Sequence, residues 1–458
     1  MLSPDINSST DKKILTNSSI NADQVHTILK RYMLVDGFDI ILDLKRSHGS
    51  FIVDEKTGDE YLDFFTFFAS NPLGMNHPKV NEPEFLEKLR IASIQKPSNS
   101  DIYTDLMAEF VNNFGLIAKP DTFKYLFFVE GGSVGVENGL KVAFDWKVKK
   151  NFRKGYKDEK GTQVIHFRDA FHGRTGYTLS LTNTDPAKIQ HFPKFNWPRI
   201  SNPKVRFPIE DHLAEIIQSE NQALEEIKNA IRNNPDDIAV LIIEPVQAEG
   251  GDHFFRKEFF INLRQICDEN EILLMFDEVQ TGLGITGKMW AHEHYVTPDI
   301  VSFGKKVQLG GIMAGSRIDE IEDNCFRVSS RINSTWGGNL TDMVRGARIL
   351  EVIHQDRLVD NAAKQGKILL EELNHLQTEF PGIVSNSRGL GLMCAFDFQD
   401  ADTRKKFLTE VYRNKLLILS CGKTSVRFRT ALNINTDDLK KGIGIIRNSL
   451  YNLSKSNN

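Results

Sequence analysis

The sequence predicts an α/β protein, with a mostly parallel sheet in a large domain and a second, smaller α+β domain. Short apolar runs alternate with helical patterns from about residue 121 onward. These runs lack the alternation of polar and apolar residues that marks half-exposed strands. Such strands are typical of a parallel sheet whose two faces are both covered by helices.

Five apolar runs are expected to form that sheet. They are KYLFFV (124–129), TQVIHF (162–167), IAVLII (238–243), ILLMF (272–276) and DIVSF (299–303). A helical pattern follows the first run, with Val136, Leu140 and Phe144 on one face. We therefore expect strands and helices to alternate through this part of the chain.

The flanking segments differ from this region. Residues 50–64 predict a hairpin, because strand residues alternate on both sides of the turn Lys56-Thr57-Gly58. The aromatic run 64–68 is expected to be mostly core, with one ring at a ligand entrance. The chain of 458 residues is divided into a flexible arm (1–24), the first part of the small domain with a linker (25–95), the large domain (96–343) and the rest of the small domain (344–458).

The composition excludes several classes of function. The formal net charge is −4 and no segment is strongly basic, which argues against a nucleic-acid partner. The four cysteines lie far apart without a CxxC pair, so we expect neither a disulfide framework nor a metal site. The N-terminus is polar and unlike a transit peptide, and no apolar stretch is long enough to span a membrane. We expect a cytoplasmic protein.

Polar or glycine-rich residues follow each of the five apolar runs. Because ligands bind outside the carboxyl ends of the strands in open parallel sheets, these residues are expected to converge on one site. The segments are EGGS (130–133), RDAFHGR (168–174), EPVQAEGG (244–251), DEVQTG (277–282) and GKK (304–306). Taken singly, each has an ordinary explanation as a strand–helix turn, a helix cap or a surface charge.

Together, these segments match the needs of one cofactor, pyridoxal 5'-phosphate. It requires a lysine that forms a Schiff base, an acid beside its pyridine nitrogen, a phosphate site and an apolar or aromatic sandwich for its ring. Lys305, Asp277, the helix start at Gly132-Ser133 and Phe171 supply these in turn. Asp277 would keep the ring nitrogen protonated, and the released Lys305 would carry the substrate proton.

Longer segments are similar to those of a known family. FHGR (171–174), IIEPVQAEGG (242–251), DEVQTGLGITG (277–287) and PDIVSFGKK (298–306) resemble class III aminotransferases of fold type I, and the resemblance covers nearly the whole chain after about residue 25. Further segments resemble the group within that class that acts on the 6-amino group of lysine: 64–78, 128–147, 171–186, 192–203 and 332–343.

The resemblance implies a reaction. A member of this group converts L-lysine and 2-oxoglutarate to 2-aminoadipate 6-semialdehyde and L-glutamate. Another ω-aminotransferase, acting on 4-aminobutyrate or ornithine, is an alternative, because SCGKTSVRFR (420–429) also resembles the 4-aminobutyrate group. An inactive homologue is a second alternative, against which the complete set of cofactor residues argues.

The resemblance also implies a role for the residues around the cofactor ring. Lys305 matches the Schiff-base lysine, and Asp277 matches the partner of the ring nitrogen. The ring would lie between Val279 and Phe171. Gln280 would hydrogen-bond the ring hydroxyl and border the substrate.

At the phosphate, the resemblance implies contributions from two subunits. The backbone amides of Gly132 and Ser133 would contact the phosphate from one side. Asn333 and Thr335 would come from the other subunit, so that the active protein is a homodimer. Most of the class has Asn-Ser-Gly-Thr where this chain has EGGS (130–133), a variant that the lysine group shares.

The implied substrate contacts are two arginines and an acid. Arg174 matches the residue that holds the α-carboxylate of lysine, and Arg427 matches the one for the α-carboxylate of 2-oxoglutarate. Glu249 matches an acid that gates Arg427 by pairing with it. After Arg427 the group usually has Pro-Pro, whereas this chain has Thr430-Ala431. We expect Arg429 to be a surface or interface charge on the strand face opposite Arg427.

Overall fold

The computed structural model describes residues 20–456. Its strands are, in chain order, β1 (Phe51–Val53), β2 (Glu60–Asp63), β3 (Phe123–Val129), β4 (Gln163–Phe167), β5 (Arg199–Ile200), β6 (Ile238–Ile243), β7 (Leu273–Asp277), β8 (Ile300–Phe303), β9 (Gly310–Gly315), β10 (Val384–Leu390), β11 (Met393–Phe398), β12 (Leu416–Leu417), β13 (Leu419–Cys421) and β14 (Ser425–Phe428). Its helices are α1 (Ala22–Lys30), α2 (Thr66–Ala69), α3 (Pro83–Ile94), α4 (Asp105–Asn113), α5 (Gly132–Arg153), α6 (Gly176–Leu181), α7 (Ile209–Asn233), α8 (Ala248–Gly251), α9 (Lys257–Glu269), α10 (Leu340–Gln355), α11 (Leu358–Glu379), α12 (Ala401–Arg413) and α13 (Thr436–Ser456).

A seven-stranded sheet in the order β3-β9-β8-β7-β6-β4-β5 forms the centre of the molecule. The strands from β5 to β8 pair in parallel, whereas β9 is antiparallel to both β8 and β3. All five predicted strands are present, and the run 238–243 coincides with β6. Strand β9 was not predicted, because its sequence GGIMAG is half glycine and glycine is depleted in strands.

Helices cover both faces of this sheet. Val240 and Ile242 of β6 pack in one core with Leu140 and Trp146 of α5. The alternate residues of β6 lie in a second core, on the other face, together with residues of α7 and α9. All six residues of β6 are buried, which is why the strand is apolar throughout. The predicted α/β fold with a mostly parallel sheet is confirmed.

Of two smaller sheets, β1-β2-β12 contains strands from both ends of the chain, and β10-β11-β14-β13 contains strands from its C-terminal part only. The predicted hairpin is present, with Phe51 of β1 opposite Leu62 of β2. Leu62 and Phe64 share a core with residues of α11, α12 and α13. The N-terminal hairpin and the C-terminal helices thus pack together, while the proposed boundaries at 95 and 343 stay predictions.

The predicted arm over 1–24 is only partly described. Residues 1–19 lie outside the described residues, and α1 begins at Ala22, where the side chain of Asn21 accepts a hydrogen bond from the backbone of Gln24. Over residues 20–456, none of the helices is long and apolar enough to cross a membrane. The cytoplasmic location stays a prediction.

Candidate active site

A cavity of about 470 Å³ opens at the carboxyl ends of the central strands. Most of the predicted site residues line it: Gly132, Ser133, Phe171, Arg174, Glu249, Asp277, Val279, Gln280 and Lys305. They come from the segments that follow β3, β4, β6, β7 and β8, since strands running in one direction end at one edge of a sheet. The convergence that the sequence predicted is therefore observed.

Lys305 lies in this cavity at the start of a short 3₁₀ helix, Lys305–Val307, directly after β8. Burial and the guanidinium groups of Arg427 and Arg429 lower the pKa of Lys305 to about 8. Near pH 7, far more of this amine is neutral than of an exposed lysine, and a neutral amine can act as a nucleophile or a base. The neighbouring Lys306 instead donates a hydrogen bond to the carbonyl of Gln280 at 2.7 Å.

Asp277 ends β7, and its side chain is buried. Its Oδ2 lies 2.8 Å from Nδ1 of His172. Its Oδ1 accepts hydrogen bonds from Oγ of Ser302 at 3.2 Å and from the backbone of Val279 at 3.1 Å. These contacts hold the carboxylate in one orientation. A carboxylate buried in this way suits a cationic partner, because a buried charge is costly unless it is paired.

The start of α5 offers a site for an anion. Gly131 has a φ of 92°, and the first turn of α5 has no acidic residue. The free amides and the dipole of a helix N-terminus favour negative charge. Gly132 has to be glycine, because a Cβ atom there would lie 2.7 Å from Cγ1 of Val279. Beside it, Oγ of Ser133 lies 2.8 Å from Oγ1 of Thr175, so hydroxyl groups border the same anion site.

An ion pair lies near Lys305. Arg427 of β14 is 2% exposed, and its Nη2 lies 2.7 Å from Oε2 of Glu249. The other oxygen of Glu249, Oε1, lies 2.6 Å from Nζ of Lys188. Burial alone would raise the pKa of Glu249, but Arg427 and Lys188 outweigh it and lower the pKa to about 2. Nε and Nη1 of Arg427 have no hydrogen-bond partner among the described residues, so the guanidinium can receive a further carboxylate.

Arg429 is buried, so its assignment as a surface or interface charge is wrong. Its guanidinium donates to both oxygens of Asp252 and, at 3.1 Å, to Oε1 of Gln280. Arg429 directly follows β14, and its guanidinium, like that of Arg427, lowers the pKa of Lys305, so Arg429 lies on the cavity side with Arg427 and not on the opposite one. The ion pair with Asp252 leaves Arg429 able to fix the side chain of Gln280 at the cavity wall.

Three predicted residues, Asn333, Thr335 and Arg427, do not line the cavity. In the described part of this single chain, Asn333 and Thr335 are exposed, and they lie in the segment before α10. Asn333 borders a different cavity, together with Asn99. Their predicted contribution to the site of a second subunit stays a prediction. Arg427 lies behind the cavity wall, where it forms an ion pair with Glu249, which does line the cavity.

The ring that reaches the cavity from the run 64–68 is that of Phe68. The segment Thr66–Ala69 is a left-handed turn with φ between 39° and 65° at all four residues. The side chain of Asp63 accepts hydrogen bonds at 2.8 Å from the backbone of Phe65 and of Thr66. No glycine marks this turn, so the sequence carries no signal for it.

Sequence reasoning did not find Lys188, and it gave no role to Val246 within the predicted segment 244–251, although both line the cavity. Lys188 lies in the segment between α6 and β5 and contacts Glu249, which is 61 residues away in the chain. Val246 is buried and follows the end of β6. Nothing in the segment TDPAKIQ around Lys188 distinguishes this lysine from a surface charge.

Comparison with known proteins identifies the family. The family model "Aminotransferase class-III" matches residues 32–450. An L-lysine-epsilon aminotransferase of Mycobacterium tuberculosis is 50% identical over 430 residues, which cover 93% of this chain and 95% of that protein. A human mitochondrial 4-aminobutyrate aminotransferase is 32% identical over 419 residues, or 85% of this chain and 80% of that protein.

A solved structure has the same fold. The structure of lysine aminotransferase from M. tuberculosis in the internal aldimine form matches with a TM-score of 0.93 and 49% identity, covering 95% of this chain and 100% of that one. Family model, sequence relatives and solved structure agree over most of the chain. The chain therefore belongs to the class III aminotransferases.

Proposed function

We propose that this chain is a pyridoxal-phosphate-dependent aminotransferase that moves the 6-amino group of L-lysine to 2-oxoglutarate. The products would be 2-aminoadipate 6-semialdehyde and L-glutamate. The observation that carries the proposal is the ion pair of Glu249 and Arg427 close to Lys305, because a cation that can be paired or freed suits two substrates of different charge. The higher identity to the mycobacterial protein supports lysine over 4-aminobutyrate as the donor.

The cavity fits pyridoxal 5'-phosphate. The buried carboxylate of Asp277 suits a cationic ring nitrogen, and the amide-lined start of α5 suits a phosphate. When bound, this cofactor withdraws electrons from the substrate carbon that loses a proton. The residues that would hold it are Lys305 at its reactive carbon, Asp277 at the ring nitrogen, Phe171 and Val279 on the ring faces, Gln280 at the hydroxyl, and Gly132 and Ser133 at the phosphate.

Lys305 would move the proton of the reaction. With a pKa of about 8, its amine can accept a proton from the substrate carbon and return it within the physiological pH range. Phe68 covers this amine, because its ring centroid lies 5.7 Å from Nζ of Lys305. Glu244 would take no part in this proton transfer. It accepts hydrogen bonds from the backbone of Phe171 at 2.8 Å and of Ala248 at 3.3 Å.

Glu249 and the two arginines would distinguish the substrates. Arg174, at the exposed side of the cavity, would bind the carboxylate at the far end of either substrate. Near Lys305, lysine presents only methylene groups, so Glu249 would keep Arg427 neutralised while lysine reacts. A buried, unpaired Arg427 would be costly and would attract the wrong end of lysine. The α-carboxylate of 2-oxoglutarate would then replace Glu249 on Arg427.

The active unit would be a homodimer. Asn333 and Thr335 lie outside the cavity of their own chain and are exposed, as is Trp336 beside them at 42%. Exposed residues of this kind suit a surface that a second copy covers. Asn333 and Thr335 would then complete the phosphate site of the partner chain.

The cofactor spectrum of the holoenzyme tests the proposed donor. L-lysine, L-ornithine and 4-aminobutyrate are each mixed with the enzyme, and the rate of the spectral change is measured in a single turnover. Lysine is expected to react fastest. A faster reaction with ornithine or 4-aminobutyrate would replace the proposed donor, and no spectral change with any of the three amines would favour an inactive homologue.

A further inference from the structure

The carboxylate of Glu249 is shared between two cations. Oε2 lies 2.7 Å from Nη2 of Arg427, and Oε1 lies 2.6 Å from Nζ of Lys188. Lys188 is held over the cavity wall, with Nζ 5.6 Å from the ring centroid of Phe171. Its side chain is 20% exposed, that of Glu249 is 25% exposed, and that of Arg427 is 2% exposed. The two contacts use different oxygens, so one of them can break while the other remains.

This arrangement matters when a substrate carboxylate takes the place of Glu249 on Arg427. A carboxylate that leaves its only cation inside a protein is left unpaired, and such a charge is costly. Glu249 keeps a second cation, however, because its contact with Lys188 does not involve Arg427. The backbone around Glu249 is held in place, because Gly422 donates a hydrogen bond to the carbonyl of Glu249 at 3.0 Å and Gly250 and Gly251 are buried, so the displacement is a movement of the Glu249 side chain.

We propose that Lys188 is the second anchor of Glu249: it holds the displaced carboxylate while Arg427 binds the carboxylate of 2-oxoglutarate. The proposal rests on the proposed function, in which Arg427 receives that carboxylate. Lys188 is a positioning residue, since it acts on the reaction through Glu249 and has no contact with the reacting atoms. Its role is confined to the half-reaction of the oxo acid, because Glu249 stays on Arg427 while lysine reacts.

Lys188→Met keeps the aliphatic part of the side chain and removes the charge. In single-turnover measurements on the holoenzyme, this variant is expected to react with 2-oxoglutarate with a kcat/KM about ten- to a hundredfold lower than that of the wild type. The loss corresponds to one hydrogen bond between charged groups. The half-reaction with lysine should change little. Lys188→Arg should restore the 2-oxoglutarate reaction, and Lys188→Gln serves if the Met variant does not fold.

Two controls separate the proposed role from others. Lys194→Met removes another lysine of the same segment, whose Nζ donates to the carbonyls of Ile189 and Phe192, and it should leave both half-reactions unchanged. In the Glu249→Ala background, Lys188→Met should have no further effect on 2-oxoglutarate. A loss that persists in this background, or that affects lysine equally, would mean that Lys188 binds substrate directly and would overturn the proposal.

A binding measurement tests the proposed role of Lys188 without catalytic turnover. Glutarate carries two carboxylates at the spacing of 2-oxoglutarate, whereas pentanoate carries one and need not displace Glu249. Calorimetry on the holoenzyme should show that Lys188→Met weakens the binding of glutarate and leaves the binding of pentanoate unchanged. Equal effects on both ligands, or no binding of glutarate to the wild type, would overturn the role of Lys188. Failure of lysine as a donor of the wild type would instead refute only the proposed donor.

Discussion

At the scale of single residues, the two oxygens of Glu249 have different partners. The bond to Arg427 joins residues 178 positions apart, and the bond to Lys188 joins residues 61 positions apart. Because Arg427 and Lys188 lower its pKa to about 2, Glu249 is charged near neutral pH. Its effect on substrate choice therefore depends on movement and not on protonation.

Glu249→Ala is expected to slow the lysine half-reaction by roughly ten- to a hundredfold, because Arg427 is left buried without its partner. The 2-oxoglutarate half-reaction should suffer less, since its carboxylate supplies the missing partner. L-glutamate and other α-amino acids should also compete better with lysine as donors.

Single-turnover rates for lysine, L-glutamate and 2-oxoglutarate measure this effect. Glu249→Gln, which keeps the size of the side chain and removes its charge, should behave like the Ala variant. Equal slowing of both half-reactions, with the donor preference unchanged, would rule out a switching role for Glu249.

At the scale of elements, the left-handed turn Thr66–Ala69 decides where Phe68 lies. Left-handed backbone costs an ordinary residue about 1–2 kcal/mol, so four in succession need support from their surroundings. The carboxylate of Asp63 accepts from two backbone amides of the turn, and Oγ1 of Thr66 donates to the carbonyl of Arg429 at 2.7 Å. The turn thereby brings the ring of Phe68 close to both Lys305 and Arg427.

Asp63 gives this element a pH dependence. Burial raises the pKa of Asp63 from 3.8 to about 6, although the two backbone amides oppose the shift. Between these pH values the folded protein binds the proton more tightly than the unfolded chain does. The contribution of Asp63 to stability is therefore greatest below pH 3.8 and is lost as the pH rises through about 6.

Asp63→Asn, which is neutral at every pH, should gain stability relative to the wild type as the pH rises from 4 to 7, by up to about 3 kcal/mol. Urea unfolding of both proteins across this range measures the difference. Asp59→Asn is the control with the opposite sign, because the hydrogen bond from Lys415 lowers the pKa of the exposed Asp59. A difference between Asp63→Asn and the wild type that does not vary with pH would contradict the assignment.

At the scale of the whole molecule, the cavity of one chain contains the residues proposed for the ring and the amine, but not Asn333 and Thr335. In the proposed homodimer, Asn333 and Thr335 of each subunit would instead lie in the cavity of its partner. A shared site also makes the activity depend on assembly.

Subunit exchange tests the shared site. Lys305→Ala and Thr335→Asp are each expected to be inactive as pure dimers. After mixing in equal amounts, half of the dimers should be hybrids in which one of two sites has both native residues, so about a quarter of wild-type activity should return. Activity assays after exchange measure the recovery. No recovery, with mixed dimers demonstrated by native mass spectrometry, would count against sharing.

The sequence by itself determined most of the sheet, because the parallel strands β4, β6, β7 and β8 are covered on both faces and so appear as apolar runs, unlike the two-residue edge strand β5. It also placed five polar segments at one edge, since parallel strands end together, and long segments identified the family. Strand β9 was not predicted, because half of its residues are glycine and glycine is rare in strands. These successes and this failure depend on local patterns, which a single stretch of sequence contains.

Only the tertiary structure decided how side chains from distant segments meet. The burial of Arg429 against Asp252, the contact of Lys188 with Glu249 and the left-handed turn under Phe68 have no local signal. Arg429 and the turn under Phe68 connect the small sheets with the cavity, whereas Lys188 and Glu249 come from two segments beside the central sheet. In each case, buried charges or backbone groups need partners from elsewhere in the chain. A charged residue looks the same in the sequence whether it will be exposed or buried. Only the fold determines which residue becomes its partner.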